Sequence, residues 1–297
     1  MLFSSRMLRP LAALLLAIPV LGGCGASGTD ADPGLWVVKD ADTTIYLFGT
    51  VHMLKPGLSW FDEGVKDAFD KSDAVMLEVV MPDASEMNAL VAELGVAQSG
   101  PTLPEQLTAE EAERLRAALT GLGMPADALD QSEPWLAATM LASLPLQKLG
   151  YDSKHGAEAV LTEAARKAGK PVAGLETARE QLGYFDTLPL PAQKALLAQT
   201  IKGLPDAGKM LEQALAAWKA GDADKLAALI NDDVAASPEL AEALLYKRNQ
   251  RWADWIARRM EQPGTLFVAV GAGHLAGNGD VQSELAKRGL KVERVAY

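Results

Sequence analysis

The stretch Thr265–His274 reads TLFVAVGAGH, and it decides the fold. Thr265–Val270 is β-branched, aromatic or aliphatic except for the small Ala269, the composition of a strand buried on both faces. It runs straight into Gly271-Ala272-Gly273-His274. The same grammar occurs near the start of the chain, where Thr44–Phe48 runs into Gly49-Thr50-Val51-His52. Glycine permits the tight exit and close backbone approach that a site beyond a strand end requires.

Other strands follow from the same reading. Leu35–Val38 pairs naturally with Thr44–Phe48 as a hairpin or as neighbouring strands. Asp73–Val80, DAVMLEVV, is an apolar run interrupted by Glu78. Pro171–Leu175 is a short strand that leads into Glu176, and Leu290–Val295 alternates like an edge strand. Between them, Ala84–Leu149 and Pro189–Met260 read as wholly helical. The expectation is an α/β fold: a central, mostly parallel or mixed sheet flanked by helices, with a large helical insertion. Residues 35–297 form one domain in this reading.

The segment before that domain reads as an address. Met1–Arg9 carries Arg6 and Arg9 and no acid, and an apolar run, Leu11–Leu21, follows. The run is short for a bilayer span and fits a secretory signal over residues 1–23. Leu21-Gly22-Gly23-Cys24 resembles a bacterial lipobox, and Cys24 is the sole cysteine of the chain. Acylation of Cys24 would anchor the protein to a lipid bilayer in the cell envelope. The resemblance to lipoproteins, with Gly25 after the cysteine, implies the outer membrane facing the periplasm. Residues 24–34 read as a flexible tether. The formal charge of −11 over 297 residues argues against nucleic acid as a partner. One cysteine also excludes an intramolecular disulfide and a cysteine zinc knuckle.

Chemistry-bearing residues sit at strand ends. The chain has three histidines, so histidine chemistry must use His52, His155 or His274. His155 precedes a helix, lacks the glycine spacing, and reads as a surface or capping residue. If the strands are parallel, His52, Glu78, Glu176 and His274 converge on one rim, where ligands of open α/β sheets bind. Two imidazoles and a carboxylate completed by water would form a divalent-metal site. Glu78 inside an apolar strand needs a cation, a hydrogen-bond network or a raised pKa. Arg248 falls on the apolar stripe of Ala241, Leu245, Trp252, Trp255 and Ile256 and needs an anionic partner. Glu78, Glu176 and a substrate carboxylate are the candidates.

The two GxxH segments, AVGAGHLAG (Ala269–Gly277), GLET (Gly174–Thr177) and RN-x-x-WA (Arg248–Ala253) resemble the TraB/GumN family. That family includes the Tiki-type metal-dependent proteases. The resemblance spans about Leu35 to Val295 and implies that His52, Glu78 and His274 form the active-site core and hold the metal. It favours Mn²⁺ or Co²⁺ over Zn²⁺. The family's Gly-x-Asp segment matches Gly156-Ala157-Glu158, so Glu158 stands in place of an aspartate.

Two function classes follow. One is a metal-assisted hydrolase of peptide or amide bonds, with Glu176 as general base and Arg248 binding a substrate carboxylate or an oxyanion. The other is a non-catalytic envelope lipoprotein that sequesters a peptide at the same rim.

Overall fold

The structure is a computed structural model that describes residues 29–235 and 237–297. The signal segment, Cys24 and residues 25–28 of the expected tether lie outside the described residues. Its strands are β1 (Thr29–Asp30), β2 (Leu35–Lys39), β3 (Thr43–Thr50), β4 (Leu58–Ser59), β5 (Ala74–Val79), β6 (Val172–Glu176), β7 (Gly264–Gly271) and β8 (Val292–Arg294). Six of them form one mixed sheet in the order β6-β5-β7-β3-β2-β8. β6, β5, β7 and β3 are mutually parallel, whereas β2 and β8 run antiparallel at one side. Each strand predicted from the sequence is present within two residues of its expected bounds.

Alternation along the strands explains why the sheet is covered on both faces. Phe48, Val75, Leu77, Phe267 and Ala269 point into one core, with Phe69, Leu161 and Trp218 from helices above it. Ile45, Leu47, Leu266, Val268 and Val270 point into the other, closed by Trp252, Ile256 and Leu285. A third cluster joins Leu103, Leu115, Leu119 and Leu141 of the helical insertion to Leu197 of the helix Leu190–Gly203. Among the described residues no helix is long and apolar enough to cross a membrane.

Three local expectations change. Residues 29–34 are packed rather than tethering: β1 pairs with β4, Ala31 is buried, and the Asp32 N–H donates to the Lys219 carbonyl at 2.8 Å. The insertion is broken into helices Ala84–Gly95, Leu103–Gln106, Ala109–Gly121 and Pro134–Lys148, with Gly100 at a positive φ in the first long break. The helix expected over Pro238–Met260 contains a π-helical turn, Glu242–Tyr246, before Lys247–Arg259. Such turns recur at functional sites because they re-aim the side chains that follow.

Candidate functional site

Parallel strands deliver the predicted residues to one rim. His52 follows β3, Glu78 is the penultimate residue of β5, Glu176 ends β6, and β7 ends at Gly271 before a 3₁₀ turn, Ala272–Leu275, that carries His274. Gly271 marks their meeting point. A Cβ placed on it would lie 3.2 Å from Glu78 Oε2, 3.6 Å from His52 Nε2 and 3.6 Å from His274 Cδ2. The glycine of the second GxxH therefore keeps a space open between three candidate side chains. The glycine of the first serves packing: a Cβ on Gly49 would sit 3.1 Å from Ala272 Cα.

His52 faces the cleft, and its Nδ1 bonds Glu158 Oε1 at 2.7 Å. Nε2 is thereby aimed inward. Crowding by the protein would depress the imidazole pKa, but the Glu158 hydrogen bond and charge, aided by Glu78, raise it to about 9. Glu158 itself is held below its ordinary range against burial by that same contact.

Glu78, Glu176 and Arg248 form a buried cluster, with side-chain exposures of 8%, 3% and 9%. Arg248 Nε donates to Glu176 Oε1 at 3.0 Å, and Nη2 donates to Glu176 Oε2 at 2.7 Å and to Glu78 Oε1 at 2.5 Å. Nη1 donates to the Leu244 carbonyl and to His274 Nε2, each at 3.1 Å. The π-helical turn supplies that Leu244 carbonyl. All N–H groups of the guanidinium are thus engaged, which leaves none for a substrate carboxylate or an oxyanion. Glu176 is equally saturated, accepting also from Trp252 Nε1, Tyr184 Oη and Gln181 Nε2 at 3.1, 3.1 and 3.3 Å. Of the partners weighed for Arg248, both carboxylates are taken. Glu78 keeps more freedom: Oε2 accepts only the Gly271 N–H, at 2.8 Å. Its pKa is not raised. Burial pushes it up, but His274, Arg248 and His52 together hold it down to about 2.

His274 is buried and its tautomer follows from its neighbours. Arg248 can only donate, so Nε2 accepts, and the proton sits on Nδ1, which donates to Asn249 Oδ1 at 2.6 Å. Asn249 is oriented in turn by its Nδ2, which donates to the Gly279 carbonyl at 2.8 Å. Trp252 lies against the ring, with centroids 4.5 Å apart. Burial drives the imidazole pKa down to about 3, so His274 is neutral where His52 is charged.

The donor arrangement does not fit the expected divalent ion. His274 Nε2 and Glu78 Oε1 both face Arg248, a fixed positive charge. Among the described residues no three His, Cys, Asp or Glu side chains are grouped to hold an ion.

Above these groups lies a cleft of about 400 Å³, walled by Val51, Phe185, Ile230, Val234 and Leu245. His155 is exposed in the 3₁₀ turn Ser153–His155, away from the cluster. Sequence reasoning missed Gln181, whose amide donates to Glu78 at 2.7 Å, and Tyr184, neither of which carries a spacing signal. Asn249 had one: it follows Arg248 directly in the RN-x-x-WA stretch.

Comparison with known proteins agrees with this architecture over nearly the whole body. The chain is 26% identical over 257 residues to the uncharacterized protein YbaP of Escherichia coli (strain K12), covering 85% of this chain and 92% of the relative. YbaP of Shigella flexneri gives the same figures, 26% over 257 residues. An uncharacterized protein of Treponema pallidum is 24% identical over 303 aligned positions, covering 93% of this chain and 90% of the relative. No solved structure matches the chain. The profile of the TraB/PrgY/gumN family matches residues 34–294, from the first strand of the large sheet to its last, and the chain belongs to that family.

Proposed function

We propose that the protein is a cell-envelope hydrolase of peptide or amide bonds. The observation that carries this reading is the meeting of His52 Nε2, Glu78 Oε2 and the His274 ring around Gly271, at the floor of a cleft. His52 raised to about 9 beside Glu78 lowered to about 2 places a proton donor next to a proton acceptor, the kind of separation that assigns acid and base roles.

In this reading the substrate carbonyl lies over Gly271. Glu78 Oε2 orients the attacking water and takes its proton as the C–O bond forms. Imidazolium His52 supports the developing oxyanion and then gives its Nε2 proton to the leaving nitrogen as the C–N bond breaks. Proton return from Glu78 to His52 through water restores the resting site. Glu158 holds the His52 ring, as the carboxylate of a histidine–acid pair does. Glu176 and Arg248 act as positioning residues that fix Glu78 and His274. No step passes through a metal ion, because Arg248 holds His274 Nε2, Glu78 Oε1 and Glu176.

The lipobox-like Cys24 supports an acyl anchor, with the active rim facing the periplasm. Mass spectrometry of the membrane-extracted chain tests this by finding Cys24 acylated as the new N-terminus, or unmodified.

The decisive assay incubates the purified protein with a fluorogenic peptide library. Wild type should cleave catalytically, and His52→Ala should lose on the order of 10²–10⁴-fold in rate with its fold intact. Stoichiometric peptide retention without product would contradict hydrolysis and favour sequestration. Full activity in His52→Ala would remove His52 from the mechanism.

A further inference from the structure

We infer that Arg248 is the resident cation of this site, and that its guanidinium excludes a divalent metal ion from the position between Glu78, Glu176 and His274. The inference bears on the metal-free form of the hydrolase reading, but its test reads what the site binds and not whether it cleaves.

Three observations carry it. First, the guanidinium already satisfies the donors that an ion would use. Its Nη2 holds Glu78 Oε1 and Glu176 Oε2, and its Nη1 holds the bare lone pair of His274 Nε2. Second, it is fixed there. Arg248 is buried, bonded to the Leu244 carbonyl, and lies over the rings of Trp252 and Tyr184 at 4.8 and 5.3 Å to the centroids. It also stays charged: burial works against the cation, but the Glu176 and Glu78 carboxylates raise its pKa above an already high ordinary value. Third, no second carboxylate is left over. One guanidinium stands between two buried glutamates, so the cluster carries the anionic surplus that would attract an ion, but their carboxylate oxygens and His274 Nε2 all accept hydrogen bonds already, Glu78 Oε2 from the Gly271 N–H. An ion entering beside Arg248 would meet a positive charge within a few ångströms in a dry pocket, where such repulsion is weakly screened. An ion replacing Arg248 would have to eject a side chain that makes bonds to four different residues.

Removing the guanidinium should therefore create the site that its presence forbids. Arg248→Ala leaves Glu78, Glu176 and His274 facing an emptied, anionic space with oxygen and imidazole donors of the kind that bind Mn²⁺, Co²⁺ and Zn²⁺.

The test is metal content of the untagged, full-length protein after equilibration with Co²⁺, Mn²⁺ or Zn²⁺ at neutral pH and dialysis, together with the visible absorption of the Co²⁺ sample. Wild type should retain essentially no ion and show no ligand-field bands. Arg248→Ala should take up about one ion per chain, and Glu78→Gln added to it should abolish uptake. One ion per wild-type chain, lost in Glu78→Gln or His274→Ala, would overturn the inference. So would a folded Arg248→Ala that binds nothing. If Arg248→Ala does not fold, the wild-type measurement and its Glu78→Gln control decide alone.

Discussion

At the scale of single residues, the site is a pair of histidines whose charges are set by what each nitrogen touches. Glu158 bonds His52 and keeps it protonated, whereas Arg248 and Asn249 leave His274 one proton and no room for a second. Activity that needs the His52 imidazolium should fall as pH rises through about 9. Glu158→Gln removes the hydrogen-bonded charge, so the alkaline limb of the kcat/KM profile should move down toward the ordinary histidine range. An unmoved limb would exclude the pair from catalysis. Gly271→Ala puts a Cβ 3.2 Å from Glu78 Oε2, so that carboxylate must give by a few tenths of an ångström, and the methyl occupies the space where the reacting carbonyl would lie. Loss of turnover proportionally larger than any loss of Tm is the expected result. Of these residues, both histidines and Glu78 were legible in the sequence. A carboxylate inside DAVMLEVV and a histidine three after a strand-end glycine each break a local pattern. Gln181 was not legible, because a glutamine on an amphipathic helix breaks none.

At the scale of elements, the ends of β3 and β7 are pressed together so that their two GxxH turns share one wall. Gly49 makes this contact possible, with the Ala272 backbone 3.1 Å from where a Cβ would be. Gly49→Ala must displace the turn Ala272–Leu275, and His274 with it. A stability loss of about 1–3 kcal/mol in chemical denaturation is expected, with a larger proportional loss of activity. Continuous apolar runs made β5 and β7 readable, because both faces of each are covered. The π-helical turn Glu242–Tyr246 was not readable. Its residues, EALLY, are ordinary helix formers and carry no signal for the extra residue, which accompanies the bond from Arg248 to the Leu244 carbonyl and the contact of Tyr246 with Gly279. The packing of residues 29–34 escaped for a similar reason: its pairing with β4 is short and carries no hydrophobic period.

At the scale of the whole molecule, buried Glu78 and His274 and the more exposed His52 make stability depend on pH in both directions. Glu78, lowered to about 2, contributes stability that is present above its unfolded pKa near 4.5 and is lost as pH falls through 2. His274, lowered to about 3, works in the same direction, since the unfolded chain takes up a proton near 6.5 that the native state refuses. On the alkaline side, the His52 contribution is present below 6.5 and is lost as pH rises through about 9. Thermal unfolding followed across this range should give maximal Tm near neutrality and a decline on both sides. A Tm that stays level from pH 7 to pH 4 would contradict the buried cluster.

The opposed charge states of His52 and His274 underlie the mechanism and this pH dependence alike. With three histidines in the chain, NMR of ¹⁵N-histidine-labelled protein across a pH titration resolves them directly. The account predicts one imidazole that loses its proton near 9 and shifts downward in Glu158→Gln, and a second, assigned by His274→Ala, that remains the neutral Nδ1–H tautomer down to pH 4. Both strand-end histidines titrating together near 6.5 would contradict it.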